Sequence, residues 1–186
     1  MNSLSVSGKN WISKEFSSDE IEFYKTNYFL DEIVAKLLSI RKIKKEEIKS
    51  FLNPTIKHIL PNPYILKDMH TAIERTEKAI NNKEKIGIFG DYDVDGATST
   101  AVLGKYFELI NIPFEIYIPD RKIEGFGPNE KAFAKFIDLG VKLIFTVDCG
   151  TLSFLPMDFA KKKKIDVIIL DHHQSEITLP NAHSIV

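Results

Sequence analysis

The sequence predicts an α/β fold, a parallel sheet flanked by helices, behind an N-terminal helical segment. From residue 85 onward, short runs rich in Ile, Val, Leu and Phe alternate with longer stretches of helical periodicity. That is the pattern of strands joined by right-handed crossover helices. The apolar runs are nearly continuous rather than alternating, which suits strands covered on both faces. Each run also ends in acidic, glycine or histidine residues. In a parallel sheet those ends lie along one edge, where open α/β sheets bind their ligands.

Composition sets the outer bounds. The chain has 186 residues, 44% hydrophobic and 27% charged, ordinary for a folded soluble domain with a small appendage. The net charge is −1 and the isoelectric point about 6.5, so any contact with nucleic acid must come from a local patch. The single cysteine, Cys149, excludes an internal disulfide and a cysteine-built zinc site. No stretch reads as a signal peptide or a membrane span, and the expectation is a cytoplasmic protein without a membrane partner.

Residues 1–28 carry no clear period and are expected to form a loose leader. Leu30, Ile33, Val34, Leu37 and Leu38 then recur at helical spacing. Ile43 to Leu52 reads as a second short helix with Ile43, Ile48, Phe51 and Leu52 inward, stopped at Asn53-Pro54 because the residue before proline disfavours the helical region. Pro61-Asn62-Pro63 marks a loop. Met69, Ala72, Ile73, Thr76 and Ile80 make a third amphipathic helix ending at Asn81-Asn82. The expected division is a helical leader over 1–84 and an α/β domain over 85–186.

In that second part the first strand is Ile86–Gly90, followed by a helix over Ala97–Ile110 with Ala101, Val102, Tyr106, Phe107 and Ile110 near helical spacing. A strand over Phe114–Ile118 precedes a helix over Asn129–Leu139, with Asn129 as N-cap and Gly140 just past the end. A strand over Lys142–Val147 precedes a helix over Leu152–Lys163, and Val167–Leu170 is the fourth strand. Lys161 to Lys164 reads as a solvated helix end, where cations complement the dipole.

The strand ends carry the chemistry. The first delivers Asp91, Asp93 and Asp95, and the second Asp120-Arg121 with Glu124-Gly125-Phe126-Gly127. The third delivers Asp148-Cys149-Gly150, and the fourth Asp171-His172-His173. Like charges this close raise each other's pKa unless a cation is bound. Carboxylates with one or two imidazoles suit manganese or magnesium better than zinc. A pair of such ions roughly 4 Å apart can activate water and stabilise the leaving oxygen of a phosphoester. Residue chemistry alone therefore points to a metal-dependent phosphohydrolase. Plainer roles stay open: Asp148 as a helix cap, Gly150 as a turn residue, Asp171 as the partner that orients a histidine. One of the two adjacent histidines is expected to face the surface. Arg121 is either a salt-bridge partner for Glu124 or a phosphate clamp, its planar fork matching phosphate oxygens while neighbouring glycines let a backbone approach.

Four motifs together resemble the DHH phosphoesterase superfamily, named for Asp-His-His, here Asp171-His172-His173. Within it the chain is similar to the RecJ single-stranded-DNA-specific exonucleases. Gly90-Asp-Tyr-Asp-Val-Asp-Gly-Ala-Thr98 matches the first family motif. Pro119-Asp-Arg121 with Glu124-Gly-Phe-Gly127 matches the second, where Asn before Arg and Tyr between the glycines are more usual. Thr146-Val-Asp-Cys-Gly150 is the third, with Thr151 where isoleucine is usual. Phe51-Leu-Asn-Pro54 and Leu66-Lys-Asp-Met69 fit the same leader, and the resemblance covers roughly residues 11 to 186. It implies metal ligation by Asp93, Asp95, Asp148 and His172, with Asp91 and Asp171 as supporting acids. It further implies a catalytic or substrate-phosphate role for His173, and phosphate contact by Arg121 beside Gly125 and Gly127. The implied reaction is 5′ to 3′ hydrolysis of single-stranded DNA, in DNA repair and recombination, on two Mn2+ or Mg2+ ions.

RecJ-like chains continue past the Asp-His-His motif with a further metal-binding aspartate, a DHHA1 domain and an OB-type DNA-binding domain. This sequence stops at Val186. The expectation is thus half a site, inactive alone or dependent on a complementary C-terminal fragment. A competing reading is a non-catalytic truncated remnant. A DHH-family nanoRNase or cyclic-dinucleotide phosphodiesterase is a further alternative, disfavoured by the long helical leader. A receiver domain would have no use for the histidine pair.

Overall fold

The computed structural model describes residues 5–186, so the first four residues of the expected leader lie outside it. The chain divides into two compact units, Met1–Pro61 and Asn62–Val186.

In the first unit the leader is not loose throughout. Helix α1 spans Ser18–Tyr28, opened by Ser17, whose side chain accepts a hydrogen bond from the Glu20 amide. Asp19 and Glu20 in its first turn favour the positive end of the helix dipole. Helix α2 follows at Glu32–Ile40, a 3-10 turn at Lys45–Glu47, α3 at Ile48–Leu52 and α4 at Ile56–Ile59. Ile21 and Tyr24 of α1 pack with Ala35, Leu38 and Ile48 into a small core. Two buried side chains in eleven residues are too few to raise a visible period, which is why α1 escapes sequence reading. Phe51, expected inward, is half exposed.

The second unit opens with a 3-10 turn at Pro63–Ile65 and helix α5 at Met69–Asn81. The alternating part then runs β1 Lys85–Gly90, α6 Val94–Leu109, β2 Phe114–Tyr117, α7 Glu130–Asp138, β3 Val141–Val147, α8 Phe154–Lys162, β4 Asp166–Leu170 and β5 Ser184–Ile185. The sheet is parallel throughout, in the order β2-β1-β3-β4-β5. The fifth strand is absent from the sequence reading, because two residues after a polar loop are too short to show a pattern.

Both sheet faces are covered. Phe89, Ile144, Val167 and Ile169 pack on one side with Phe133 and Phe136 of α7 and Met157 of α8. Ile86, Ile88, Leu143, Phe145 and Ile168 pack on the other with Ala72 and Ala79 of α5 and Phe107 of α6. Helix α5 therefore shares a core with β1, and its buried Arg75 bonds Asp166 at the start of β4 and Glu84 beside β1. The sequence predicts α5 as part of a leader ending at residue 84, whereas the compact unit begins at Asn62. Periodicity marks a helix's apolar face but not what that face meets.

Helix α6 buries a different face from the one its large apolar residues suggest. Gly96, Thr100, Gly104 and Phe107 are buried, while Val102, Tyr106 and Leu109 are exposed. Small residues at a four-residue spacing bring the helix close to the sheet: a Cβ on Gly104 would lie 3.3 Å from the Phe114 ring. Close approach, rather than apolar content, chose the inward side.

From β1 the chain passes to β2 on one side, and β3 lies on the other. The reversal leaves a crevice outside the carboxyl ends of β1 and β3, the usual ligand position in open α/β sheets. Register then decides which residues stand there. Gly90 pairs with Val147, and Val147 with Leu170. The residues that follow, Asp91, Asp148 and Asp171, therefore stand in a row at neighbouring strand ends. The ladder continues beneath them: the Asp91 amide donates to Val147, that of Asp148 to Leu170 and that of Asp171 to Val186.

Candidate metal centre

Asp91 leaves β1 into a turn that only glycine permits. A Cβ on Gly90 would overlap the Thr100 hydroxyl, and one on Gly96 would overlap the Asp91 backbone. The start of α6 thus sits directly against the strand end. Asp93 caps that helix, its Oδ1 accepting from the Gly96 amide at 3.0 Å. The helix begins at Val94, earlier than the sequence predicts, because the cap is Asp93 itself.

Asp148 adopts a left-handed conformation, φ 62°, which aspartate and asparagine tolerate better than most residues. It caps no helix: α8 begins at Phe154 after Ser153. Gly150, at φ 120°, has no room for a Cβ beside the Thr146 hydroxyl.

These turns bring carboxylates together. Asp91, Asp93 and Asp148 each present an oxygen within 4.8 Å of the others, and Asp148, His172 and His173 form a second such group. Asp148 belongs to both. His172 Nε2 lies 3.0 Å from Asp148 Oδ1, and His173 Nδ1 lies 2.8 Å from Asp171 Oδ1. Asp95 joins neither group. It stands two residues beyond Asp93, about 200° further round the helix, and lines an open groove of about 550 Å3 together with Asp148, His172, Leu170 and Met69.

Electrostatics divides these acids. Burial pushes the Asp91 carboxyl above its ordinary value and neighbouring Asp93 adds to this, while His173 and Arg121 pull the other way. Burial and then Asp93 push Asp148 up as well. Asp93 is held down, first by the Gly96 amide. For Asp171 burial acts upward, but hydrogen bonds from Thr151 and His173 together outweigh it and hold the carboxyl low. The bond that His173 makes to Asp171 raises His173 in turn.

Asp91 Oδ1 and Asp148 Oδ2 are buried and, among the described residues, have no hydrogen-bond partner. Unsatisfied buried carboxylate oxygens are costly, and a hard divalent cation satisfies several at once. Oxygen donors with an imidazole match manganese or magnesium, so the residues present fit such an ion.

The second motif forms an exposed loop after β2. Glu124 organises it, accepting from the Tyr117 hydroxyl at 2.6 Å, the Asp120 amide at 2.9 Å and Asn129 at 3.3 Å. Gly125 and Gly127 sit at φ 79° and 81°, where a side chain is strained. Arg121 makes no ion pair with Glu124. Its guanidinium instead lies 5.2 Å from the centre of the Tyr92 ring, and the Phe126 ring meets His173 edge-on at 5.8 Å.

Two residues here escape the sequence reading. Thr151 donates to Asp171 Oδ2 from its amide at 3.1 Å and its hydroxyl at 2.6 Å; its only signal is that it departs from the usual isoleucine. Tyr92 lies inside the first motif between two acids, and the attention those acids draw hides it.

The chain also resembles known proteins. The N-terminal domain of the DHH family matches residues 85–186. A single-stranded-DNA-specific exonuclease RecJ of Bacillus subtilis is 36% identical over 181 residues, covering 97% of this chain and 23% of its own length. The corresponding protein of Haemophilus influenzae is 38% identical over 138 residues, 73% of this chain and 24% of its length. The chain thus spans about a quarter of these relatives. A crystal structure of exonuclease RecJ bound to manganese superposes with a TM-score of 0.61 at 30% identity, over 65% of this chain and 31% of that one. A structure of RecJ with Mn2+ from Thermus thermophilus shares the fold at a TM-score of 0.67 and 22% identity, over 94% and 24% of the two chains.

Proposed function

Because the chain belongs to the DHH family, we propose that it carries the metal centre of a RecJ-type exonuclease, hydrolysing phosphodiesters of single-stranded DNA with Mn2+ or Mg2+. The observation that carries this reading is the convergence of Asp91, Asp93 and Asp148 with His172, around two buried carboxylate oxygens that lack partners among the described residues. Similarity to proteins described as single-stranded-DNA-specific exonucleases supports the substrate class.

In this reading Asp91, Asp93, Asp148 and His172 hold a cation, and Asp95 is a candidate ligand from the wall of the adjoining groove. The bound ion supplies Lewis acidity, activating water and polarising the phosphate. Asp171 fixes His173 through Nδ1 and favours its protonated form. The imidazolium can then bind a phosphate oxygen, or donate a proton to the leaving 3′ oxygen as the P–O bond breaks. Arg121 meets phosphate with its fork, on a loop where Gly125 has open space beside its backbone. No helix among the described residues is long and apolar enough to cross a membrane.

Calorimetry with Mn2+ tests the centre, using the parent chain, Asp93→Asn and Asp148→Asn. Both substitutions should weaken binding about tenfold or more. Nucleotide release from labelled single-stranded DNA in Mn2+, assayed with the chain alone and with a complementary C-terminal fragment and absent in Asp93→Asn under both conditions, tests the reaction. Equal Mn2+ affinity in parent and variants would overturn the assignment.

A further inference from the structure

We propose that Tyr92 is a positioning residue that holds the Arg121 guanidinium ready for a substrate phosphate. The inference rests on the phosphate reading of Arg121 and adds a residue to it. Tyr92 belongs to the turn after β1 and Arg121 to the loop after β2, and the ring-to-guanidinium contact of 5.2 Å ties the two together. The backbone that carries the ring is held in place. It follows Asp91, which is 2% exposed and is clamped where a side chain on Gly90 or Gly96 would not fit.

Arg121 itself is exposed, and an exposed arginine samples many rotamers. The acids beside it in sequence are engaged elsewhere: Asp120 Oδ1 accepts from the Lys122 and Ile123 amides, and Glu124 is held by Tyr117, Asp120 and Asn129. Among the described residues Arg121 forms no ion pair and no side-chain hydrogen bond. The aromatic contact is therefore what restricts it. A contact of this kind also differs in kind from a salt bridge. Attraction to a ring face uses none of the guanidinium N–H groups as hydrogen-bond donors, so the whole fork stays available to phosphate oxygens. A carboxylate partner would occupy the same donors that a phosphate needs. Tyr92 thus orients the cation without competing with the ligand.

The Tyr92 hydroxyl makes no hydrogen bond among the described residues, so the ring is the working part. That separates the role from an ordinary structural one: Phe should replace Tyr92 and an aliphatic or amide side chain should not.

The test measures binding of a 5′-phosphorylated single-stranded oligonucleotide against its 5′-hydroxyl counterpart, by the parent chain and variants with parental circular dichroism. Tyr92→Phe should keep the parental preference for the phosphorylated strand. Tyr92→Leu and Tyr92→Gln should reduce that preference about threefold to fivefold, and adding either to Arg121→Ala should cause no further loss. A second readout follows the Nε–Hε signal of Arg121 by NMR, tractable in a chain with three arginines, Arg41, Arg75 and Arg121. A ring-current shift should be present in the parent and in Tyr92→Phe, and lost in Tyr92→Leu. If Arg121→Ala abolishes the preference while Tyr92→Leu and Tyr92→Gln keep it, the role of Tyr92 is overturned and the phosphate reading stands. If the parent has no preference, or Arg121→Ala retains it, the phosphate reading fails and the role of Tyr92 falls with it.

Discussion

Asp148 and Asp171 stand at neighbouring strand ends, yet the fold drives their carboxyls in opposite directions. Both are nearly buried, at 5% and 2% side-chain exposure. Asp171 spends its oxygens on Thr151 and His173, whereas Asp148 keeps one oxygen without a partner among the described residues and has Asp93 beside it. One carboxylate is satisfied by the protein, and the other is not, among the described residues.

Neutralising the two should therefore have opposite effects on the metal-free chain. The folded state raises the pKa of Asp148 above its unfolded value of 3.8, so any stability from this group exists at low pH and is lost as pH rises through the folded value. At neutral pH, Asp148→Asn should raise the Tm, and asparagine tolerates the left-handed backbone there. Asp171 is depressed below 3.8, so its contribution is present at neutral pH and is lost as pH falls. Asp171→Asn should destabilise by about 1–3 kcal/mol. Thermal melts at pH 7 without divalent metal check both signs.

Thr151→Val keeps the shape of the side chain and removes the hydroxyl that donates to Asp171. The expected loss is about 1.5–3 kcal/mol, the range for a hydrogen bond to a charged group. Urea unfolding measures it, and a midpoint equal to the parent's would show that this bond contributes nothing.

Gly96→Ala should destabilise by about 1–3 kcal/mol and also weaken Mn2+ binding, because the added methyl would meet the Asp91 backbone. Glycine is not required there for its torsion angles, since its φ is not positive. Loss of stability with unchanged Mn2+ affinity would separate the turn from the metal centre.

The Tyr117–Glu124 pair predicts two pH windows. The Tyr117 hydroxyl, then the Asp120 amide, hold Glu124 below its ordinary 4.5. Its stabilising effect is complete above 4.5 and declines as pH falls through the lower folded value. The bond to Glu124, then burial, push Tyr117 from 10.0 up to about 12, so its effect is complete below 10 and is lost as pH rises towards 12. Tyr117→Phe should flatten the alkaline limb of a Tm–pH profile, and Glu124→Gln the acid limb. Limbs unchanged in both variants would show that the pair does not govern them.

The sheet was legible because strands covered on both faces need continuous apolar residues. Ile86–Gly90, Lys142–Val147 and Val167–Leu170 could hardly be anything else, and Asn129 announced its helix through a side chain suited to capping. The row of strand-end acids was legible for a related reason, since parallel strands must present their carboxyl ends along one edge. Elements that draw little on burial left no such trace: α1, with two buried residues, and β5, with two residues in all.

The sequence by itself determined that these acids and histidines share an edge, because strand direction follows from the β-α alternation. Only the tertiary structure decided how they divide among themselves. Strand register set Asp91 beside Asp148, while the 100° step of α6 carried Asp95 round to the groove. The same holds for Arg121. Nothing in the spacing of the chain favours Tyr92 over Glu124 as its neighbour, but Glu124 is drawn inward by Tyr117, Asp120 and Asn129. Local sequence fixes which groups are available, and competition for partners in the folded chain settles which of them meet.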